Sequence, residues 1–396
     1  MLKWTVLKRL ALAASAAAAL TLLLAAASAA GTGRVSATPR VTVWVQNMDS
    51  DSVTPINAVS GKAGAPVRLP DMPFGMAITP DGRTVYVIDG SDLVIPINTA
   101  TGRKGRAIRV PDGADVVVVT PNGKTVYVAS SVAITPISVA TDTAGKPIVV
   151  AKQPDAPTAL AVTPDSKTVY AVDTFTVVPV STVTGKAGKP IPTGDNFVSM
   201  VITPNGKAGY VLGSVNTVTA INTVTNRAVK TITVGPVEVE PQAMAITPNG
   251  KTVYVVNYGN NTVVPINTAT NKAGTPIKVG AYPLFIAITP NGKTAYVAAG
   301  DGVYPINLLT GKAGKLIKTT PFVAFSIVIT PDGKTAWVSG DQYPASGINI
   351  NPQGYVLAIS TATNTPGRPI KVGIGAGCLV TTPWRSGPAW GPSSCS

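Results

Sequence analysis

The side chains of this chain that could do acid–base or metal chemistry are almost all carboxylates. Histidine is absent, and glutamate occurs at Glu238 and Glu240 alone. Mechanisms that use histidine as a base, a metal ligand or a haem ligand therefore have no residue to perform them. Two carboxylates could still cleave a glycosidic bond, but Pro236 and Pro241 flank this pair in a segment that reads as a solvated loop. No nucleophile elbow or phosphate-binding glycine motif is present, so the sequence predicts a non-enzymatic protein.

Aspartate-rich segments supply the other candidate ligands. Residues 48–52 read MDSDS and residues 89–92 read DGSD, and their carboxylates could hold Ca²⁺. Neither segment matches an EF-hand or a nonapeptide calcium pattern. Aspartate is also common in turns because its side chain bonds to nearby backbone. We therefore predict no cofactor, with bound calcium as the alternative.

The N-terminal segment has the pattern of a secretory signal peptide. Lys3, Lys8 and Arg9 precede an apolar run over residues 10–27, and small residues follow. We expect a signal peptide over residues 1–37, cleaved within 29–37, with an uncleaved membrane anchor as the alternative. Glycine, proline or charge interrupts every later apolar stretch, so no transmembrane segment is expected after cleavage. The sequence thus predicts a secreted, extracellular protein, either free or associated with the cell surface.

The two cysteines, Cys378 and Cys395, both lie near the C-terminus. Export to an oxidising compartment favours a disulfide between them. Such a bond would staple the Pro/Gly/Ser-rich tail over residues 384–396 to the preceding segment. Neither cysteine has neighbours that indicate a reactive thiol or a metal ligand.

Two repeated motifs organise the rest of the chain. The first, Thr-Pro-Asp/Asn-Gly-Lys, recurs every 40 to 44 residues, with its prolines at Pro80, Pro121, Pro164, Pro204, Pro248, Pro290 and Pro331. The second has the ideal form Ile-Asn-Thr-Ala-Thr-Gly-Lys-Ala-Gly and begins at Ile56, Ile97, Ile137, Val180, Ile221, Ile266, Ile306 and Ile359. Repeats of this length with four short strands are typical of β-propeller blades.

Each repeat reads as four short strands, which we call A to D. They correspond to residues 75–79 (A), 252–255 (B), 262–267 (C) and 276–279 (D) in the clearest copies. The first segment, 41–69, lacks strand A, and residues 377–383 look like a lone strand A. We therefore predict an all-β propeller over residues 38–383, with a ring closed by N-terminal strands plus a C-terminal strand. Eight blades are expected, and seven are the alternative.

The segment Thr-Pro-Asn-Gly-Lys-Thr-Val-Tyr-Val-Val-Asn, residues 247–257, closely resembles the YVTN family of β-propeller repeats. The resemblance covers residues 41–383 and implies a propeller of the kind found in bacterial and archaeal surface-layer and exported proteins. It does not specify a function. Strand C departs from an ordinary strand because it carries proline in most copies, at Pro55, Pro96, Pro136, Pro179, Pro265 and Pro305.

Alternating strand directions should sort the charges onto two faces of the disc. The A–B and C–D turns share one face and carry most of the bases, including Lys124, Lys186, Lys207, Lys251, Lys272, Lys293, Lys312 and Lys334. The B–C and D–A loops share the other face and carry acids, including Asp49, Asp89, Asp92, Asp301 and Asp341, together with Tyr343 in the longest loop.

This charge pattern suggests two kinds of ligand surface. The basic face predicts a monomeric binding or scaffold module for an anionic cell-envelope polymer, with a protein partner as an alternative. Because that face lacks interleaved aromatic residues, sequence-specific nucleic acid is not an expected partner. The acidic face leaves a histidine-independent hydrolase or lyase as the enzymatic alternative. Solvated lysines that only keep the protein soluble would give the same pattern without any ligand.

Overall fold

Eight antiparallel sheets form the protein, and each corresponds to one sequence repeat. The computed structural model describes residues 41–111, 113–151, 157–194, 197–237, 239–342, 352–382 and 394–395. The predicted signal peptide, Tyr343 and most of the C-terminal tail lie outside these ranges. The described part of the chain is almost entirely strand and turn, as expected for a β-propeller, and the prediction of eight blades is confirmed.

The strands of the first four blades follow the repeat closely. In chain order they are Thr42–Asn47 (β1), Ser52–Asn57 (β2) and Val67–Arg68 (β3) in blade 1; Pro73–Ile78 (β4), Thr84–Asp89 (β5), Leu93–Asn98 (β6) and Ile108–Arg109 (β7) in blade 2; Val116–Val119 (β8), Thr125–Ser130 (β9), Ala133–Ser138 (β10), Thr143–Ala144 (β11) and Ile148–Val149 (β12) in blade 3; and Ala159–Val162 (β13), Thr168–Val172 (β14), Thr176–Ser181 (β15), Lys186–Ala187 (β16) and Ile191–Pro192 (β17) in blade 4.

The second half of the ring repeats this order. Its strands are Phe197–Ile202 (β18), Ala208–Gly213 (β19), Thr217–Asn222 (β20) and Arg227–Thr233 (β21) in blade 5; Pro241–Ile246 (β22), Thr252–Asn257 (β23), Thr262–Asn267 (β24), Lys272–Ala273 (β25) and Ile277–Lys278 (β26) in blade 6; Phe285–Ile288 (β27), Thr294–Ala299 (β28), Gly302–Asn307 (β29) and Lys312–Ala313 (β30) in blade 7; Val323–Ile329 (β31), Thr335–Gln342 (β32), Gln353–Ser360 (β33), Thr365–Pro366 (β34) and Ile370–Lys371 (β35) in blade 8; and then Ala376–Thr381 (β36) and Ser394–Cys395 (β37).

The ring closes as the sequence predicts. Strand β36, from the C-terminal end, pairs antiparallel with β1 and becomes the innermost strand of blade 1. Trp44 of β1 lies opposite Val380, and Val43 lies opposite Thr381. The two ends of the chain therefore share one sheet, which leaves no open blade at the start or end of the ring.

The hydrophobic core lies between neighbouring blades. One cluster, for example, combines Tyr86 and Ile88 of blade 2 with Val117 and Val119 of blade 3, all of them buried. Each fully buried valine or isoleucine contributes about 1.5–3 kcal/mol through removal from water. Because a single sheet cannot bury both of its faces, this packing explains why the repeats must be stacked into a ring.

Buried tyrosines also join neighbouring blades by hydrogen bonds. The hydroxyl of Tyr210, on the second strand of blade 5, donates to the side-chain oxygen of Asn271 in the C–D turn of blade 6 (2.7 Å). The same bond, 2.6–2.7 Å long, joins Tyr86 to Asp142, Tyr170 to Asn226 and Tyr296 to Asn364. All four acceptors are in the left-handed backbone conformation, which asparagine and aspartate tolerate better than most residues.

The strand C prolines receive a structural explanation from strand D. The carbonyl of Pro265 accepts the N–H of Gly274 (2.7 Å), and a residue in a strand presents its N and O to the same neighbour. The missing N–H of Pro265 therefore faces the outermost strand, which is interrupted there between β25 and β26. The predicted single D strand at residues 276–279 is thus incomplete, because a separate two-residue piece precedes the interruption.

Helical structure is limited to a three-residue 3-10 turn at Met48–Ser50 within the described residues. No helix among those residues is both long and apolar enough to cross a membrane.

Candidate binding faces

The A–B turn owes its shape to the Thr-Pro-Asp/Asn-Gly-Lys motif. In blade 6, the Thr247 hydroxyl donates to the side-chain oxygen of Asn249 (2.7 Å), and it accepts the N–H of Thr252 (3.1 Å). The N–H of Lys251 also donates to Asn249 (3.0 Å). Gly250 has a positive φ of 68°, a conformation that glycine adopts at little cost. The motif therefore fixes the backbone of Lys251 while its side chain stays exposed.

The C–D turn is bonded to the A–B turn of the same blade. In blade 2, the N–H of Thr99 donates to the carbonyl of Arg83 (2.9 Å), and the Thr99 hydroxyl donates to the carbonyl of Gly82. The equivalent backbone bond, 2.9–3.2 Å long, ends at the carbonyls of Lys124, Lys167, Lys207, Lys251, Lys293 and Lys334 in blades 3–8. These bonds place both sets of turns on one face of the disc.

We call the surface formed by the A–B and C–D turns the basic face. The eight lysines that the sequence singles out for it are all exposed there: Lys124, Lys186, Lys207, Lys251, Lys272, Lys293, Lys312 and Lys334. Aspartates of the same face are used within the turns. Asp81, for example, accepts the N–H of Arg83 (3.0 Å) and forms an exposed ion pair with its guanidinium (3.7 Å).

Sequence reasoning missed a set of aliphatic side chains on the basic face. They occupy one position of the C–D turn, two residues after strand C, and are Val59, Val183, Val224 and Leu309, of which Leu309 is 93% exposed. The other four blades have alanine at this position. The basic face is therefore not purely polar, and a repeat alignment that tracked this single position would have found the difference.

The opposite face contains the B–C and D–A loops, which are also bonded to each other. The N–H of Gly90 donates to the carbonyl of Met72, and that of Gly300 donates to the carbonyl of Ala281 (both 2.8 Å). We call this surface the acidic face.

Several aspartates of the acidic face stabilise the loops that carry them. Asp89 is fully buried and accepts the N–H groups of Ser91 and Leu93 (3.1 and 3.0 Å). Burial, the largest effect on this group, raises its pKa. Asp92 accepts the N–H groups of Gly113 and Ala114, in the loop that leads to blade 3, and Asp341 accepts the N–H of Ala376 in blade 1 (2.7 Å). All three of these candidates for a ligand surface therefore accept backbone N–H groups.

The remaining acidic-face candidates are scattered around the ring. Asp49 lies in the 3-10 turn of blade 1. Asp301 in blade 7 accepts the hydroxyl of Tyr304 (2.6 Å), and burial raises the pKa of Tyr304 to about 12. Within the described ranges, no three carboxylates or cysteines come together in a way that could hold a metal ion. Tyr343 lies outside the described residues.

The innermost strands carry partly exposed polar and aromatic residues near their starts. Phe74, Asp115, Thr158, Gln242 and Phe325 occupy equivalent positions near the start of strand A in their blades, and all are partly exposed. Burial raises the pKa of Asp115 to about 6, opposed by bonds from backbone N–H groups.

The centre of the ring also holds the last described strand. The backbone of β37 pairs with β4, placing Ser394 opposite Ala77 and Cys395 opposite Met76. Blade 2 therefore has a fifth strand on its inner side. No strand pattern in the sequence marks this segment.

Comparison with known proteins supports the fold and does not show the function. No protein-family model matches the chain, and no curated protein matches it. Among solved structures, the chain is similar to dihydro-heme d1 dehydrogenase NirN in complex with DHE, with a TM-score of 0.74 and 14% identity over 88% of this chain and 76% of that one.

A second solved structure is similar over a shorter part of the chain. It is the hydrazine synthase of Kuenenia stuttgartiensis, with a TM-score of 0.55 and 18% identity over 76% of this chain and 95% of that one. At these identities the similarity shows the propeller fold alone, since one fold hosts many unrelated functions.

Proposed function

We propose that this chain is an exported, non-enzymatic β-propeller whose basic face binds an anionic polymer of the cell envelope. The observation that carries the proposal is the fixed arrangement of exposed lysines. The turns that present them are bonded to each other in blades 2–8, so the lysines are held at repeating positions around one side of the disc. A surface of one charge attracts a polyanion and concentrates it by long-range electrostatics.

The opposite surface supports catalysis less well. The carboxylates of Asp89, Asp92 and Asp341 accept backbone N–H groups. These bonds give them a role in loop structure instead of a catalytic one. The histidine-free composition removes the commonest general base. We therefore favour the binding module over the hydrolase or lyase.

The resemblance to YVTN repeats and the signal-peptide pattern support an exported location, at the cell surface or beyond it. We also propose that Cys378 and Cys395 form a disulfide that holds the tail in the ring. Met76, whose backbone pairs with Cys395, packs in the same cluster as Cys378. Mass spectrometry of a non-reduced digest tests this bond: a linked peptide supports it, and two free thiols refute it.

Co-sedimentation with purified cell envelope tests the proposed function. Protein should sediment with the envelope at low ionic strength and return to the supernatant as salt rises, because screening weakens charge–charge attraction. A variant with glutamine at Lys124, Lys207, Lys251, Lys293 and Lys334 should remain in the supernatant. Sedimentation of wild type and variant to the same extent, or no sedimentation of either, contradicts the proposal.

A further inference from the structure

Blade 5 differs from the other blades in its outermost strand. Its strand D, β21, is a single strand over seven residues, Arg227–Thr233, with a β-bulge at Val229. The described strand D of the other blades consists of two-residue strands or isolated bridges, such as β25 and β26 in blade 6. Within the described residues, the sheet of blade 5 ends at β21.

Three substitutions in the repeat explain this difference. Ala228 pairs with Ile221 as Ala273 pairs with Ile266, so blades 5 and 6 can be aligned residue by residue. Where blade 6 has Pro265, Gly274 and Pro276, blade 5 has Ala220, Val229 and Thr231. Proline lacks an N–H and prevents regular pairing inside a strand. Blade 5 has therefore lost both prolines that interrupt strand D in blade 6.

The uninterrupted strand is anchored on one side and exposed on the other. Ile232 is buried in the cluster between blades 5 and 6, and the Thr231 hydroxyl lies 3.4 Å from that of Thr219. The other six residues of β21 are exposed, and Val229 is 58% exposed. The strand thus has a fixed position and a free outer edge.

Free strand edges of this length are normally avoided. Proteins shorten or bend edge strands, or place proline in them, because unpaired N–H and C=O groups accept a further strand. Blades 1–4 and 6–8 have such protection in their short, interrupted D strands. Blade 5 instead has the bulge at Val229 and the charges of Arg227 and Lys230, which oppose pairing with a like-charged strand and leave the regular run 230–233 open to an acidic one. We propose that the outer edge of β21 binds an extended acidic peptide segment of a protein partner, which adds to blade 5 as a further strand.

The charges of β21 indicate which segment fits. Arg227 and Lys230 are both exposed and would lie beside acidic side chains of an added strand. A second copy of the protein fits less well, because Lys230 is the central residue of β21. If the β21 strands of two molecules paired antiparallel about their central residue, Lys230 of one molecule would lie opposite Lys230 of the other. Like charges opposite each other destabilise a sheet.

Fluorescence anisotropy with a labelled peptide tests the inference. The probe is a ten-residue peptide in which glutamate alternates with valine and threonine, and it should bind the full-length protein. Hydrogen exchange should then slow at the backbone amides of β21. The variant Ala220→Pro/Val229→Gly/Thr231→Pro, which gives blade 5 the pattern of blade 6, should bind at least about tenfold more weakly, a loss of about 1.4 kcal/mol.

Two controls separate strand addition from simple charge attraction. A peptide of the same charge with proline at two valine positions cannot extend a sheet and should not bind. The five-lysine variant of the basic face should keep its affinity for the peptide within a factor of about three, since those lysines do not lie on β21 and exposed charges are screened with distance. Failure of the polyanion proposal would therefore leave this test intact.

A charge-reversal variant keeps the test valid if the triple variant does not fold. Arg227→Glu/Lys230→Glu should lose the acidic peptide and bind a peptide with lysine in place of glutamate. The inference is overturned if wild type does not bind the acidic peptide, if the proline-containing peptide binds equally well, or if charge reversal changes nothing. It is also overturned if sedimentation velocity shows a dimer that the triple variant abolishes, because the edge would then belong to a second copy.

Discussion

Replacing Ala220 by proline should destabilise the protein far more when Val229 is present than when glycine takes its place. In the six blades with a strand C proline, the facing residue of strand D is glycine. A Cβ built on those glycines would lie only 2.9–3.2 Å from the proline Cγ. Blade 5 has neither member of this pair, since Ala220 lies where the proline would be and Val229 where the glycine would be.

The expected cost has two parts. Proline at 220 would press against the Cβ of Val229, and overpacking of this kind costs about 1–3 kcal/mol. Proline would also remove an N–H from the ladder with β21, which costs about 1 kcal/mol. We therefore expect Ala220→Pro to lower the free energy of unfolding by about 2–4 kcal/mol. Val229→Gly alone should cost about 0.5–1 kcal/mol, since the side chain is mostly exposed and glycine weakens a strand.

A double-mutant cycle measured by urea unfolding separates these parts. The clash is absent when both substitutions are present, so the double variant should be more stable than the sum of the single effects predicts, by about 1–3 kcal/mol. Additive effects within about 0.5 kcal/mol would show that the two residues do not interact. That result would refute the explanation of why β21 is continuous.

Three further predictions concern side chains that are buried wholly or in part. Tyr210→Phe should lower the free energy of unfolding by about 1 kcal/mol, because it removes the hydrogen bond to Asn271. Tyr254→Phe is the control, since the next blade has Gly311 at the turn position of Asn271. Equal losses of stability in thermal unfolding of the two variants would count against the inter-blade bond. Burial raises the pKa of Tyr210 and Tyr296 to about 12, so the stability they contribute is complete below about pH 10 and lost as the pH rises towards 12. Circular dichroism across that range should show the protein unfolding at a higher pH than the one at which tyrosine ionises in a denatured control. Coincident transitions would contradict the burial of these side chains. The raised pKa of Asp115, about 6, means that its charged form is disfavoured in the folded protein. Asp115→Asn should therefore raise the free energy of unfolding by about 1–2 kcal/mol near pH 7.5, after allowance for the partial exposure of this residue, and change it little near pH 4. A gain of the same size at both pH values would refute this cause.

The sequence was sufficient for the fold because each repeat contains its own turn chemistry. Thr247, Asn249 and Gly250 make the bonds that the motif predicts, and the same residue types recur through the ring. The missing strand A of the first segment and the lone strand near residue 380 predicted ring closure correctly. These features are local or periodic, so they can be read without knowing which residues meet in space.

Features that depend on contacts between repeats could not be predicted in the same way. The bond between Tyr210 and Asn271 joins residues 61 positions apart. Asp341 reaches Ala376 of blade 1 across the closure of the ring, so its role as a backbone acceptor was hidden. The pairing of Cys395 with Met76 likewise lacks a local signal. The strand C prolines were visible, but their meaning required the facing glycines of strand D.

The most direct test of the proposed function is the salt dependence of binding to a soluble polyanion. Affinity for sodium polyphosphate, measured by calorimetry, should fall steeply as salt rises for the wild type, because bound counterions are released. The variant with glutamine at Lys124, Lys207, Lys251, Lys293 and Lys334 should show weaker binding and a smaller slope. Asp51→Asn/Asp71→Asn, which raises the net charge through exposed residues of the acidic face, should leave the affinity nearly unchanged. Binding that follows net charge in both variants, or that ignores the five lysines, would contradict the assignment of the basic face.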